Sequence, residues 1–142
     1  KLSDTNVFQV HSAAHPPEQL QIGHRAVIVD GNDYSLELMK AKNQPVEIVY
    51  PTAGAPRITV HNGVFKSAPN PNAGRLFQAY MFSAEAQQIF IDRFAHRSFH
   101  ALAKEKPGRA PLSSFKLLHA DPKLVLTQSE EITARYSKIF GG

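Results

Sequence analysis

The sequence predicts an α/β fold with an at least partly parallel sheet. Short apolar runs rich in β-branched residues, RAVIVD at 25–30, VEIVY at 46–50 and RITVH at 57–61, are followed late in the chain by FKLLH at 115–119. Between them lie stretches whose apolar residues recur at helical spacing. Strands interleaved with helices call for crossover connections, and these favour parallel pairing. A chain of 142 residues suits one ordinary domain.

Each element has its own signal. PPEQLQIG at 16–23 suits a short helix entered through proline and closed by Gly23. RAVIVD then reads as a buried strand. From Tyr34 to Lys42 the apolar positions Leu36, Leu38, Met39 and Ala41 predict a helix stopped near Asn43, with Pro45 just beyond. VEIVY is the next strand. PTAGAP at 51–56 is a loop by composition, and RITVH and NGVFK are two extended pieces around Asn62-Gly63, for which a hairpin is one reading. Asn70 is placed to cap a helix with Pro71 at its first position and Leu76, Phe77, Tyr80 and Met81 on its packed face. Ser83 caps another, with Glu85 in the first turn and Ile89, Phe90 and Phe94 as the buried stripe. HRSFHALAKEKPGRAP at 96–111 fits no regular element and suits a crossing between substructures. FKLLH is a last strand. The closing helix is expected to start from a capping box of Thr127 and Glu130, with Val125, Ile132, Tyr136, Ile139 and Phe140 on one face.

Composition narrows the function. The apolar fraction of 42% and charged fraction of 20% are those of a globular protein, and no run of about 18 apolar residues is present to span a bilayer. The net charge of +4 is scattered: residues 58–142 hold eleven Lys/Arg against six Asp/Glu, and the densest stretch, Lys104, Lys106 and Arg109, is broken by Glu105, Pro107 and Gly108. Nucleic acid wants a clustered basic stripe, so no nucleic-acid partner is expected. With no cysteine there is no disulfide framework, thiolate nucleophile or Cys-ligated zinc. G-x-S-x-G, Walker and G-x-G-x-x-G patterns are missing too.

Two stretches remain as site candidates. His96 and His100 are four apart, the spacing of a metal pair on a helix and the basis of a metal-dependent hydrolase reading. An HEXXH motif needs glutamate at position 97, where Arg97 stands, and two histidines on an irregular connection is the plainer reading. His11, His15, His24, His61 and His119 are too dispersed to form a site by spacing. The other candidate is DGNDYS at 30–35, between a strand and a helix. Asp-Gly and Asn-Asp are ordinary turn and cap chemistry, with Asn32 or Asp33 accepting an amide proton of the next helix. A turn has no need of Tyr34, whose phenol would stand where free backbone N–H groups gather.

GNDYSLELMKAKNQPVEIVYP, GVFKSAPNPNAGRLFQAYMFSAEAQQIF and GRAPLSSFKLLHADPKLVLTQSEEITARYSKIF together resemble the carboxy-terminal half of periplasmic extracellular solute-binding proteins of ABC importers, in their ferric-iron-binding-like branch. The middle block carries most of the likeness: a strand ending in lysine, a short bridge around Pro69 and Pro71, a helix, and then Ser83, Ala84, Glu85, Ala86 and Gln87 opening another.

The resemblance implies a type II periplasmic binding protein-like clam-shell of two α/β lobes, of which this chain supplies about half. Residues 1–57 would belong to lobe two, 58–106 to lobe one after a hinge crossing, and 107–142 would return to lobe two with the last helix. It implies a non-enzymatic, periplasmic protein that hands a small solute to an ABC permease, and no resident cofactor. Ferric-binding members carry adjacent tyrosines preceded by asparagine at the start of the helix matching Tyr34 to Lys42. Here Asn32, Asp33 and Tyr34 take those places, so a carboxylate replaces one tyrosine. If the transported solute is Fe(III), Asp33 and Tyr34 are the expected ligands. A polyamine, phosphonate or thiamine-like solute is the alternative in the same fold. Without the other half, the strands at 46–50 and 57–61 should keep unpaired edges and favour self-association.

Overall fold

A computed structural model describes residues 4–10, 12 and 14–141. His11, one of the dispersed histidines, lies outside them. The elements are α1 (His15–Gln21), α2 (Asp33–Ala41), β1 (Ala55–Pro56), α3 (Pro71–Met81), α4 (Ala84–Phe94), β2 (Leu117–Leu118) and α5 (Pro122–Phe140), with a 3-10 turn at Leu112–Ser114.

The helices follow local chemistry. Proline in the first turn of α1, α3 and α5 is prearranged for helix and gives up no bond there. Ser83 caps α4, its Oγ accepting the Ala86 amide at 3.2 Å, and Ala95 closes that helix in the left-handed conformation at φ 53°. Asn70 stands at the cap position of α3 without a side-chain cap bond. Gly23 follows α1 at φ 71° and Asn43 follows α2 at φ 58°, where each stop was expected. The closing helix begins earlier than the Thr127–Glu130 box predicts. Asp121 caps it, accepting the Lys123 amide at 2.9 Å, and Thr127 lies inside, its hydroxyl bonded back to the Lys123 carbonyl at 3.0 Å.

The strands differ more. Among the described residues β1 and β2 form a two-residue parallel bridge, Ala55 opposite Leu117 and Pro56 opposite Leu118. It is closed by the Ala55 amide on the Lys116 carbonyl (2.8 Å) and the Arg57 amide on the Leu118 carbonyl (2.9 Å). Thus FKLLH pairs, but against the loop PTAGAP. RAVIVD, VEIVY, RITVH and NGVFK form no ladder, and the hairpin reading of the last two is not realised. VEIVY keeps a strand's imprint nonetheless: Val46, Ile48 and Tyr50 are half-buried while Glu47 and Val49 are exposed.

The core is small: Leu36 and Met39 of α2, Ala86 and Ile91 of α4, and Ala95. The stripes expected to be packed are largely open. Leu76 and Phe77 on α3, Ile89 and Phe94 on α4, and Val125, Ile132, Tyr136 and Ile139 on α5 are all exposed. The accessible surface is 11420 Å², against roughly 7,300 Å² for a compact monomer of this mass by the usual area scaling. The fold therefore keeps several amphipathic faces without a covering layer.

Candidate functional site

The turn before α2 is built as its sequence suggests. Asp30 takes the left-handed conformation at φ 64°, and the chain next to it passes so close to Ile28 that a Cβ at Gly31 would stand 2.9 Å from its Cγ2. Asn32 then caps α2 by position, without a side-chain cap bond, and Asp33 and Tyr34 occupy the first turn. A carboxylate there is favoured by the helix dipole.

Asp33 does something the sequence did not suggest. Its Oδ2 is 2.9 Å from Arg97 Nε and 2.8 Å from Arg109 Nη2, and it accepts a 3.1 Å hydrogen bond from the Tyr50 hydroxyl. Arg97 also reaches Glu105 Oε2 at 2.8 Å, and its Nη2 donates to the Tyr50 hydroxyl and the Ala110 carbonyl, each at 2.9 Å. Arg109 donates to the Ala95 carbonyl at 2.7 Å and lies 3.5 Å from Glu105 Oε1 and 3.9 Å from Glu37 Oε1. Its contact with Asp33 is an ion pair without hydrogen-bond alignment, since Arg109 Nε and Nη2 are buried with no well-directed acceptor. The Arg109 side chain is 1% exposed and that of Arg97 11%. Buried charges of this kind persist only when paired.

The pKa directions follow from the contacts. Burial pushes the Asp33 carboxyl up, but the Arg97 hydrogen bond, the charges of Arg109 and Arg97 and the Tyr50 hydroxyl outweigh it, leaving the group below its ordinary value of 3.8. Burial raises the Tyr50 phenol above its ordinary 10.0, helped by the neighbouring Asp33 charge and opposed by Arg97. Asp33 is thus an anion and Tyr50 a neutral phenol across the physiological range.

Tyr34 lies apart from this network. Its ring meets the edge of His96, 5.0 Å between centroids at 64°, and His96 is flanked by Phe90 and Phe94 at 6.3 and 6.2 Å. His96 therefore sits in an aromatic nest. His100 accepts the Leu102 amide at Nδ1 (3.2 Å), and neither histidine lies on a helix. Among the described residues no three of His, Asp and Glu gather as a metal would need.

The sequence singled out Asn32, Asp33 and Tyr34; of these Asp33 enters the ion-pair network and Tyr34 meets His96 instead. It missed Tyr50, Arg97, Glu105 and Arg109, which determine what Asp33 does. The available signal was the concentration of charge in HRSFHALAKEKPGRAP, where Arg97, Lys104, Lys106 and Arg109 surround Glu105 in a segment with no regular element to explain them. Neither protein-family models, nor curated proteins, nor solved structures give a match to this chain.

Proposed function

We propose that this chain is part of a periplasmic solute-binding protein of an ABC importer, with a type II clam-shell fold, that captures a small solute at the amino end of α2 and delivers it to the permease. The observation that carries the reading is the placement of Tyr34. The phenol stands in the first turn of α2 beside the His96 ring, next in sequence to Asp33, whose ion pairs with Arg97 and Arg109 tie down that turn. A turn fixed by compensated charges suits a preorganised binding surface.

Two further observations support it. The parallel bridge joins residues 55–56 to 117–118, the assignment that puts segments 1–57 and 107–142 in one lobe, and Arg97 reaches Asp33 from the segment assigned to the crossing. The exposed faces of α3, α4 and α5, with the runs at 46–50 and 58–61 outside any ladder among the described residues, fit one part of a larger α/β unit. In this reading Asn32 and Tyr34 face the solute, and Asp33 holds them in position. Ferric iron, a polyamine, a phosphonate and a thiamine-like molecule are the solutes to separate.

Native mass spectrometry of the protein purified without denaturation tests this directly, because a carried-over solute reports itself by mass. Titrating the compound so found should show weakened binding by Tyr34→Phe. Unchanged affinity would remove Tyr34 from the site, and the bare protein mass under every growth condition would remove the solute-binding reading.

A further inference from the structure

Four oxygen atoms converge on one guanidinium. Around Arg97 stand Asp33 Oδ2 at 2.9 Å, Glu105 Oε2 at 2.8 Å, and the Tyr50 hydroxyl and Ala110 carbonyl oxygens at 2.9 Å each. Two carboxylates, a phenol and a backbone carbonyl are the donor types that a hard cation recruits. The rings of Tyr50 and Phe115 complete the enclosure, with the guanidinium carbon 5.7 and 5.4 Å from their centres.

We infer that Arg97 is a built-in cation filling an oxygen-lined site, so that Asp33 holds no cation taken up from solution. The inference narrows the solute-binding reading at Asp33, and the occupancy by Arg97 stands without that reading. Charge accounting supports it. At the contacts shorter than 3.0 Å the charges balance, Asp33 and Glu105 against Arg97 and Arg109. Any metal or ammonium arriving at Asp33 Oδ2 would meet two guanidinium groups already within 2.9 Å of that oxygen. Without Arg97, Asp33 and Glu105 keep only Arg109, and Asp33, Glu105 and Tyr50 lose their shared partner. A half-buried carboxylate that loses one of its two guanidinium partners is destabilised, and a cation from solution would relieve it.

Terbium(III), sensitised by the nearby tyrosine rings, and free guanidinium ion are suitable probes. Arg97→Ala should bind terbium(III) about tenfold or more tightly than the unaltered chain, and adding Asp33→Asn should abolish that gain. Millimolar guanidinium should raise the melting temperature of Arg97→Ala but not of the Arg97→Ala, Asp33→Asn double variant. Arg97→Lys, which keeps the charge without the planar fork, should remain closed to terbium. A direct measurement needs no variant: as lanthanum(III) is added to the unaltered chain, the Asp33 carboxyl carbon resonance should hold still. Movement of that resonance, or an Arg97→Ala chain that gains neither ion, overturns the inference. A protein that carries no solute would sink the solute-binding reading while leaving these readouts intact, so the two failures are distinguishable.

Discussion

The rings of Tyr50 and Phe115 lie face to face, 4.0 Å between centroids and 4° from parallel. Tyr50 ends the run VEIVY and Phe115 begins FKLLH, so the stack ties together two segments 65 residues apart that sequence reading had as strands. The Tyr50 hydroxyl extends the tie, giving a hydrogen bond to Asp33 and taking one from Arg97. Tyr50→Phe should keep the stack and remove both bonds, costing about 1–2 kcal/mol because charged partners are involved. Phe115→Ala should cost about 2 kcal/mol or more through lost packing. Urea denaturation measures both. A Tyr50→Phe chain as stable as the parent would mean that solvent replaces the hydroxyl without loss.

The same contacts set a pH profile. With its pKa lowered in the folded chain, Asp33 takes up protons more readily when unfolded, so stability rises with pH through that interval. Its contribution is complete above the ordinary value of 3.8 and is lost as pH falls below it towards the folded value. Tyr50 acts in the opposite sense. Its raised pKa gives a contribution that is complete below 10.0 and lost as pH rises beyond it. Asp33→Asn should flatten the acid side and Tyr50→Phe the alkaline side. Melting temperatures measured from pH 3 to 11 decide the matter, and an unchanged acid limb in Asp33→Asn would place the titrating group elsewhere.

The open faces should make the chain associate. Ile58 and Val60 are 83% and 87% exposed on a run that, among the described residues, continues no ladder beyond Arg57, and Leu76 on α3 is 74% exposed. Apolar surface and unpaired backbone together favour edge-to-edge pairing. Sedimentation velocity should show the weight-average mass rising with concentration, and Ile58→Lys with Val60→Lys should shift that rise to higher concentration. A clean monomer throughout would contradict it.

Local signals located the helices, while the sheet and the site's partners depended on distant contacts. Pro71 with Asn70, Ser83 and Gly23 are punctuation that acts within a turn, so α1, α3 and α4 begin or end where they mark. The start of α5 was misplaced because two caps compete: Asp121-Pro122 comes first, and nothing between Lys123 and Leu126 resists helix, leaving Thr127 inside. The strands failed for another reason. A run such as RITVH states that it is fit for a ladder, but ladder formation needs a continuing partner, and the pairing with FKLLH ends at Arg57, whose amide reaches the Leu118 carbonyl. At the site, DGNDYS was legible as a turn and as a tyrosine in excess of what a turn needs. The role of Asp33 was not, since Arg97 and Arg109 lie 64 and 76 residues away and no spacing rule links them.

Gly54 gives the sharpest test of the bridge. It sits at φ 123°, a conformation that side chains rarely adopt, and a Cβ there would stand 2.8 Å from Leu118 Cγ and Cδ2 and 3.3 Å from the Lys116 carbonyl oxygen. That carbonyl accepts the Ala55 amide, so the crowding falls on the bond that opens the β1–β2 bridge. Backbone strain and steric overlap act together here, and Gly54→Ala should cost about 2–3 kcal/mol. Gly63, where an added Cβ meets nothing within 4 Å and φ is not in the left-handed range, is the matched control. Gly63→Ala should leave stability within about 0.5 kcal/mol of the parent. Hydrogen exchange reads the consequence at the bridge itself: the Ala55 and Arg57 amides should lose protection in Gly54→Ala and keep it in Gly63→Ala. Equal protection in the two variants would show that the chain can shift at residue 54 without parting the strands.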